Sequence, residues 1–334
     1  MSGKMISYLG RHTAIGYLGP AEWKEIPCLK ENKGGLPPLV IAVGDARRVD
    51  RAGEVLGLED AVALHEHGRR LLGRAGRGRV HILIGTFRRR DKAIPLVVVE
   101  TQMGMPSTEI ILREVLAHCR RGYAFGDGTI ETDGLYLIRA GTAGGINEEG
   151  AGVDLIEAGD VVNASFSVGW SGALIESMAG LDYFSPDVRD AFRKEWETAG
   201  FSFTDDGRFP MLTHAPDVVG AIDGAARELG VKVFRGGNFS KDSLYAEIEA
   251  RAFLDLRRRY GVMSTEMEQM VLAGLIADFA DHGVALKTGL ISGVLGVLNG
   301  DSFPTDEEHQ EKAERVEASV LEVAACALWR IVHG

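Results

Sequence analysis

Cysteine is scarce in this chain, as are proline and any long apolar run. Three cysteines, Cys28, Cys119 and Cys326, stand far apart in 334 residues. They are odd in number and form no close pair at metal-ligand spacing, so reduced thiols in a cytoplasmic protein are expected. Ten prolines against 43 glycines leave no proline-rich linker and suit many tight strand-to-helix turns. The longest apolar stretches, such as Ile94 to Val99, are strand-sized, and the opening Met1-Ser2-Gly3-Lys4-Met5-Ile6-Ser7-Tyr8 has no apolar leader core. Neither secretion nor a membrane span is therefore expected. Positive charge is in deficit, 37 Lys and Arg against 48 Asp and Glu for a net charge of −11, and such a surface repels a phosphate backbone. No nucleic-acid partner is expected. Also missing is a G-x-G-x-x-G that opens a helix with an acid some way on, which argues against a dinucleotide-binding oxidoreductase.

What is present is the composition of a folded chain, 45% hydrophobic and 25% charged. Short β-branched runs end at glycine: Leu39 to Val43, Val80 to Ile84, Ile94 to Val99 and Leu135 to Ala140. Each reads as a buried strand. Pro106-Ser107-Thr108-Glu109 reads as a helix start. An apolar helical stripe is expected from Val262 to Phe279, a strand over Val284 to Ser292, and a long amphipathic helix from Asp306 to the end. Alternating strands and helices predict an α/β fold with a central mixed β-sheet flanked by helices. A single domain over residues 1–334 is expected, with an extended N-terminus to about residue 37 and surface insertions near 68–92, 121–134 and 170–210. The arginine-rich segment 69–92 is either a solvated hairpin or a basic edge that supplies an arginine to an anion site.

Four short segments carry chemistry. In Gly44-Asp45-Ala46-Arg47-Arg48-Val49 the amides after Gly44 and the cation of Arg48 suit an anion. In Arg139-Ala140-Gly141-Thr142-Ala143-Gly144-Gly145 an arginine sits near the edge of a buried strand, where desolvation is costly unless an anion or a carboxylate pairs with it. Thr101-Gln102-Met103-Gly104 is a glycine turn that opens a helix. In Ser264-Thr265-Glu266-Met267-Glu268-Gln269, placed at a helix start, the two acids are two apart. On a helix they project to different faces, and only an extended or first-turn backbone brings both to one site.

Together these segments resemble the nucleoside phosphorylases of the uridine phosphorylase and hexameric purine nucleoside phosphorylase type. The matching stretches are GDARRV (44–49), TQMGMPSTE (101–109), RAGTAGG (139–145), VDLIEAGDVV (153–162) and STEMEQ (264–269), in family order and spanning most of the chain. The resemblance implies a single-domain nucleoside-phosphorylase-type fold and a pentosyltransferase that uses inorganic phosphate as a substrate, with no cofactor and no metal. It implies Gly44, Arg48, Arg139 and Thr142 at phosphate, with Arg77 or Arg79 lent by a neighbouring subunit. It implies Glu266, Met267 and Glu268 at ribose, with Arg139, Glu268 and Thr142 as the catalytic set. Its partners are a nucleoside, phosphate and further copies of itself, in a hexamer built as a trimer of dimers.

Base recognition departs from the family. Uridine enzymes carry a Phe-Tyr, then a Gln and an Arg that read uracil, whereas the corresponding run here is Leu244 to Arg251, with Ile248 and Ala250 at the reading positions. Purine enzymes place an Asp after a late Ile-Ser or Val-Ser; here Ile291-Ser292 is followed by Gly293. Leu244, Arg251, Ile291 and Gly293 are the base-binding candidates, with Asn238, Ser240 and Lys241 nearby as substitutes. His12 and Tyr17 are candidates for the family's N-terminal sugar-binding His. Uridine phosphorolysis is the expected activity, ahead of a purine or broad-specificity phosphorylase, a hydrolytic nucleosidase, and a non-catalytic nucleoside-binding protein.

Overall fold

The all-buried run Leu39–Val43 forms strand β1 near the centre of a sheet, as its unbroken apolar character requires. A computed structural model describes residues 12, 13, 15, 23–66, 80–147, 155–169, 190, 191, 193, 194, 197, 202–207, 209–241, 250–297 and 307–334, the side chains of 250–253 and 307–309 lying outside that set. The further strands are β2 (Glu59–Ala63), β3 (Ile82–Arg89), β4 (Lys92–Glu100), a separate hairpin of β5 (Gly122–Phe125) and β6 (Gly128–Glu131), β7 (Leu135–Gly145), β8 (Val161–Val168), β9 (Ser202–Phe203), β10 (Pro210–Thr213), β11 (Val233–Ser240), β12 (Val262–Glu266) and β13 (Leu286–Val297). Helices are α1 (Pro27–Glu31), α2 (Ala46–Val55), α3 (Met105–His118), α4 (Pro216–Leu229), α5 (Ala250–Tyr260), α6 (Leu272–Asp281) and α7 (Glu307–His333). This is the expected α/β fold with a mixed sheet flanked by helices. No helix among the described residues is long and apolar enough to cross a membrane.

The sheet runs β2-β3-β4-β1-β7-β12-β11-β8-β10-β9, and β13 bridges β7 and β8. Strands β7, β13, β8, β11 and β12 therefore close on one another in a five-membered ring. At the junction β1 pairs with β7 only as far as Ala42 beside Arg139, and β12 first pairs with β7 at Gly144. Residues 140–143 of β7 thus border a fork on that edge, just past the carboxyl end of β1, the kind of place where open α/β sheets bind ligands.

Two apolar layers cover the sheet. On one face Ile41, Val43, Ile138 and Ala140 pack with Val49 of α2, Ile222 of α4 and Val320 and Leu328 of α7. On the other, Val40, Ala42 and Leu137 pack with Leu112 and Val115 of α3 and Leu275 of α6. Fully burying a Val, Leu or Ile side chain contributes roughly 1.5–3 kcal/mol, so these layers fix β1 and β7 firmly beneath the fork.

Two sequence expectations are corrected. The extended backbone does not end at Ala140 but continues through the glycine run to Gly145, because β13 runs parallel to β7 along its whole length. The stripe from Val262 is not one helix: Val262–Glu266 is strand β12, held between β11 and β7, and the helical part begins only at Gln269. Segment 121–134 is the β5–β6 hairpin. In the arginine-rich stretch, β3 and β4 form a hairpin on which Arg88 pairs with Glu59, and Arg89 and Arg90 pair with Glu228.

Candidate functional site

Arg139 is 3% exposed, and its guanidinium lies back along β7 over Gly141. A Cβ at residue 141 would stand 2.4 Å from Arg139 Nη1, so the glycine of the RAGT run is required by a side chain two positions away. Two carboxylates meet this cation. Arg139 Nη2 donates to Glu268 Oε2, and Nη1 lies 3.3 Å from Glu266 Oε2. Both acids reach one site because Glu266 ends strand β12 and Glu268 sits in the turn that follows, the extended-then-turn backbone that the two-residue spacing demands.

Glu266 is held from several sides. Its carboxylate accepts from the backbone N–H of Glu268 at 2.8 Å and of Gln269 at 2.9 Å, and from Asn238 Nδ2 at 2.9 Å. Burial pushes its carboxyl above the usual carboxylate range, with the Arg139 cation opposing and the Glu268 anion adding to the rise. Glu268 Oε1 accepts from the Gly104 N–H at 2.9 Å. That bond ties the Thr101–Gly104 turn to the cluster, and the turn is tightly wound: Gln102 has φ 61° and Gly104 φ 87°. A non-glycine residue in the left-handed region is uncommon and concentrates at functional sites. Arg139 Nε and Nη1 and the hydroxyls of Thr265 and Ser292 are buried without a hydrogen-bond partner, unmade bonds of the kind a bound polar molecule satisfies.

The phosphate candidates fall into two groups. Asp45 caps α2 by accepting from Arg48 N at 3.0 Å, and this cap aims the Arg48 side chain back at β7. Arg48 Nη2 then donates to Thr142 Oγ1 at 3.2 Å and to Glu317 Oε1 at 2.8 Å, while Asp45 Oδ2 lies 3.1 Å from Nε. Gly44 belongs here too, its Cα side facing Arg48 Nη1. Side chains alternate along a strand, so Arg139 and Gly141 leave β7 on one face and Thr142 on the other. The structure brings Gly44, Arg48 and Thr142 together, and separately Arg139, Glu266 and Glu268 with half-buried Met267 alongside. Glu317, a buried acid on α7 that Arg47 also contacts at 3.2 Å, escaped the sequence reading. Its one signal is a charge directly beside the apolar stripe at Val316.

The base candidates lie elsewhere or outside the described residues. Ile291 is fully buried in the apolar layer beneath α7. Gly293 faces the same helix, where an added Cβ would come within 2.8 Å of Val316. Neither joins the Arg139 cluster, because both occur on the β13 face shared with Ala140 and Thr142. Leu244, Arg77, Arg79 and Tyr17 lie outside the described residues, as does the side chain of Arg251, whose backbone belongs to α5. His12 is tied to α3: its Nδ1 lies 2.8 Å from Glu114 Oε1.

Asp50, His65 and His81 offer ligand atoms within 4.8 Å of one another, the cluster among the described residues that approaches a metal-ligand set. Its geometry does not suit an ion. The imidazoles stack at 3.8 Å with planes 16° apart, so their in-plane lone pairs run side by side instead of converging. His65 Nδ1 accepts from Ile82 N at 3.3 Å, which leaves the ring proton on Nε2, the atom facing Asp50.

The sequence matches the profile of the phosphorylase superfamily over residues 38–329. The fold is similar to that of a uridine phosphorylase from Vibrio fischeri ES114 solved in complex with 6-hydroxy-1-naphthoic acid, with a TM-score of 0.54, 17% identity, and coverage of 89% of this chain and 91% of that one. Comparison with curated proteins gives no match.

Proposed function

The chain belongs to the phosphorylase superfamily, and from that premise we propose that it cleaves the N-glycosidic bond of a nucleoside with inorganic phosphate, releasing free base and (deoxy)ribose 1-phosphate. The observation that carries this reading is the buried Arg139–Glu268–Glu266 cluster at the fork of the sheet, where two carboxylates able to accept from a polyol meet a cation able to pair with an anion. The C1′–N bond breaks as a C1′–O bond to phosphate forms, and the base leaves with the electron pair and takes up a proton. The sugar passes through oxocarbenium character, as in glycoside hydrolysis. Glu268 accepts from the ribose hydroxyls, and the bonds that fix it, from Arg139, the Gly104 N–H and the Met267 N–H, hold it ready before substrate arrives. Arg48, Thr142 and the amides after Gly44 orient the phosphate, with Arg139 stabilising charge at the reacting centre. Met267 packs against the sugar. No metal or organic cofactor takes part in this scheme, and the working form is a cytoplasmic homo-oligomer, a hexamer, whose neighbouring subunit supplies an arginine from the 69–92 segment.

Uridine or a close pyrimidine relative is the proposed substrate, because Gly293 stands where purine enzymes place their base-reading Asp. A purine or broad-specificity enzyme is the runner-up within the same chemistry. One observation favours a second reading, hydrolysis by water: Arg48 is already engaged by Glu317, and Arg139 by two acids. Base release from uridine, thymidine, inosine, adenosine and methylthioadenosine, each with and without phosphate, tests these readings together. Strict phosphate dependence with uridine preferred is expected; phosphate-independent release establishes the hydrolase, and a preferred purine overturns the pyrimidine choice.

A further inference from the structure

Behind Glu266, on the side away from Arg139, a line of buried neutral side chains crosses four strands. Asn238 on β11 is fully buried with its carbonyl and both amide N–H groups engaged: Oδ1 accepts from Ser264 Oγ at 3.1 Å, and Nδ2 donates to Glu266 Oε1 at 2.9 Å and to Ser167 Oγ at 3.3 Å. The Ser167 hydroxyl on β8, an acceptor in that contact, has one proton to give, and His214 Nε2 lies 3.2 Å away. With Nε2 accepting, the ring proton sits on Nδ1, which faces Thr288 Oγ1 of β13 at 3.2 Å. With the Ser167 hydroxyl donating to Nε2, the wiring runs one way: His214 accepts from Ser167, Ser167 accepts from one Asn238 amide N–H, and the other N–H goes to Glu266.

We propose that His214, Ser167 and Asn238 are positioning residues of the candidate site, an uncharged relay that pins Glu266 so that its other carboxylate oxygen fixes the backbone of Glu268, the residue offered to ribose. The inference rests on the proposed function given above and adds to it a set of residues that touch no substrate. Glu266 Oε2 accepts the N–H groups of both Glu268 and Gln269, while Oε1 accepts from Asn238 Nδ2 at 2.9 Å and shares the Gln269 N–H at 3.2 Å, with the Ser240 hydroxyl on the same carboxylate. Losing Asn238 removes the shorter of those two Oε1 contacts and loosens the carboxylate against the pull of Arg139, and the turn with it. A relay of neutral groups suits this position, since two acids already share one arginine there. A charged orienting group would add a fourth buried charge.

Two measurements decide it. In 15N NMR of the full chain, with His214 assigned by its loss in His214→Gln, the relay requires the Nδ1–H tautomer with no titration from about pH 5 to 8. An Nε2–H tautomer, or titration in that window, overturns the relay and leaves the proposed function standing. The second is Asn238→Asp, which can donate to Glu266 only when protonated. The charged groups around residue 238 are Glu266 on β12, Arg139 on β7, Glu268 and Lys241, the last bonded through its backbone N–H to Glu266 O. With these flanking acids the variant should raise the nucleoside KM by about tenfold near pH 8 and return to within about threefold of wild type near pH 5.5, phosphate KM moving less than about twofold throughout. A pH profile parallel to wild type, or equal changes in both KM values, overturns the positioning role. Should Asn238→Asp fail to fold, Ser167→Ala asks the same question without new charge: nucleoside KM up about threefold at constant phosphate KM supports the role, and an unchanged nucleoside KM sinks it. A wild type that releases no base from any nucleoside overturns the proposed function and the ribose role with it, an outcome separate from a wrong tautomer.

Discussion

Arg139 is the residue on which most depends, and its surroundings set the sign of two predictions. Removing it strands two buried carboxylates, so Arg139→Ala should lose ~3–5 kcal/mol of stability as well as activity, the penalty typical of breaking a buried ion pair. Arg139→Lys keeps the charge but not the planar fork, and should keep most of the stability while kcat/KM falls roughly 10- to 100-fold. Urea unfolding alongside steady-state kinetics separates the two; equal stability losses would mean that the charge is not what holds the cluster. At Arg48 the competing anion is internal. Glu317, 2.8 Å from the guanidinium, is an anion where phosphate is proposed to bind, and a unit charge about 6 Å from phosphate at an effective dielectric near 40 is worth ~1.4 kcal/mol. Glu317→Gln should therefore lower the phosphate KM by about 3- to 10-fold with nucleoside KM unmoved; a raised phosphate KM would show instead that Glu317 serves to orient Arg48.

Among elements, β7 couples fold to site most directly. It is a strand with a requirement for glycine at one position: Gly141 has no left-handed φ to favour glycine, so an alanine is opposed only by the Arg139 guanidinium 2.4 Å from where its Cβ would lie. Gly141→Ala should shift Arg139 off Glu268 and lower kcat/KM about 10-fold or more, with a stability loss of the order of 1–3 kcal/mol from overpacking. A variant with wild-type kinetics would show that Arg139 has room to move without consequence. Helix α2 is aimed by a local device, the Asp45 cap, whereas strand β12 is aimed by long-range pairing between β11 and β7.

For the molecule as a whole, the buried histidine ties stability to pH. Burial lowers the His214 pKa to about 3, against about 6.5 in the unfolded chain. Below 6.5 the unfolded state binds a proton that the folded state refuses, so stability falls as pH drops from 6.5 toward 3 and is flat above that window for this group, by up to about 5 kcal/mol in all. Urea midpoints measured at about pH 7 and pH 4.5 should therefore diverge more for wild type than for His214→Gln. Equal slopes in the two proteins would mean that His214 is not buried neutral.

Much of this was legible in the sequence, and the rest was not, for one physical reason. Strand runs and amphipathic stripes are local, set by side-chain alternation over a few residues, so β1, β4, α3 and α7 follow from composition and period. The order of GDARRV, TQMGMPSTE, RAGTAGG and STEMEQ likewise indicated the superfamily. What tertiary structure decided was which of those residues meet. The stripe after Val262 satisfied a helical period, but pairing with β11 and β7 drew its first five residues into a strand and brought Glu266 and Glu268 to one arginine. The Arg139-to-Thr142 spacing did not reveal that β13 would keep the backbone extended and turn the two to opposite faces. Glu317, Asn238, Ser167 and His214 carry no motif, since a buried hydrogen bond or ion pair between distant segments depends on positions in space that no local period encodes.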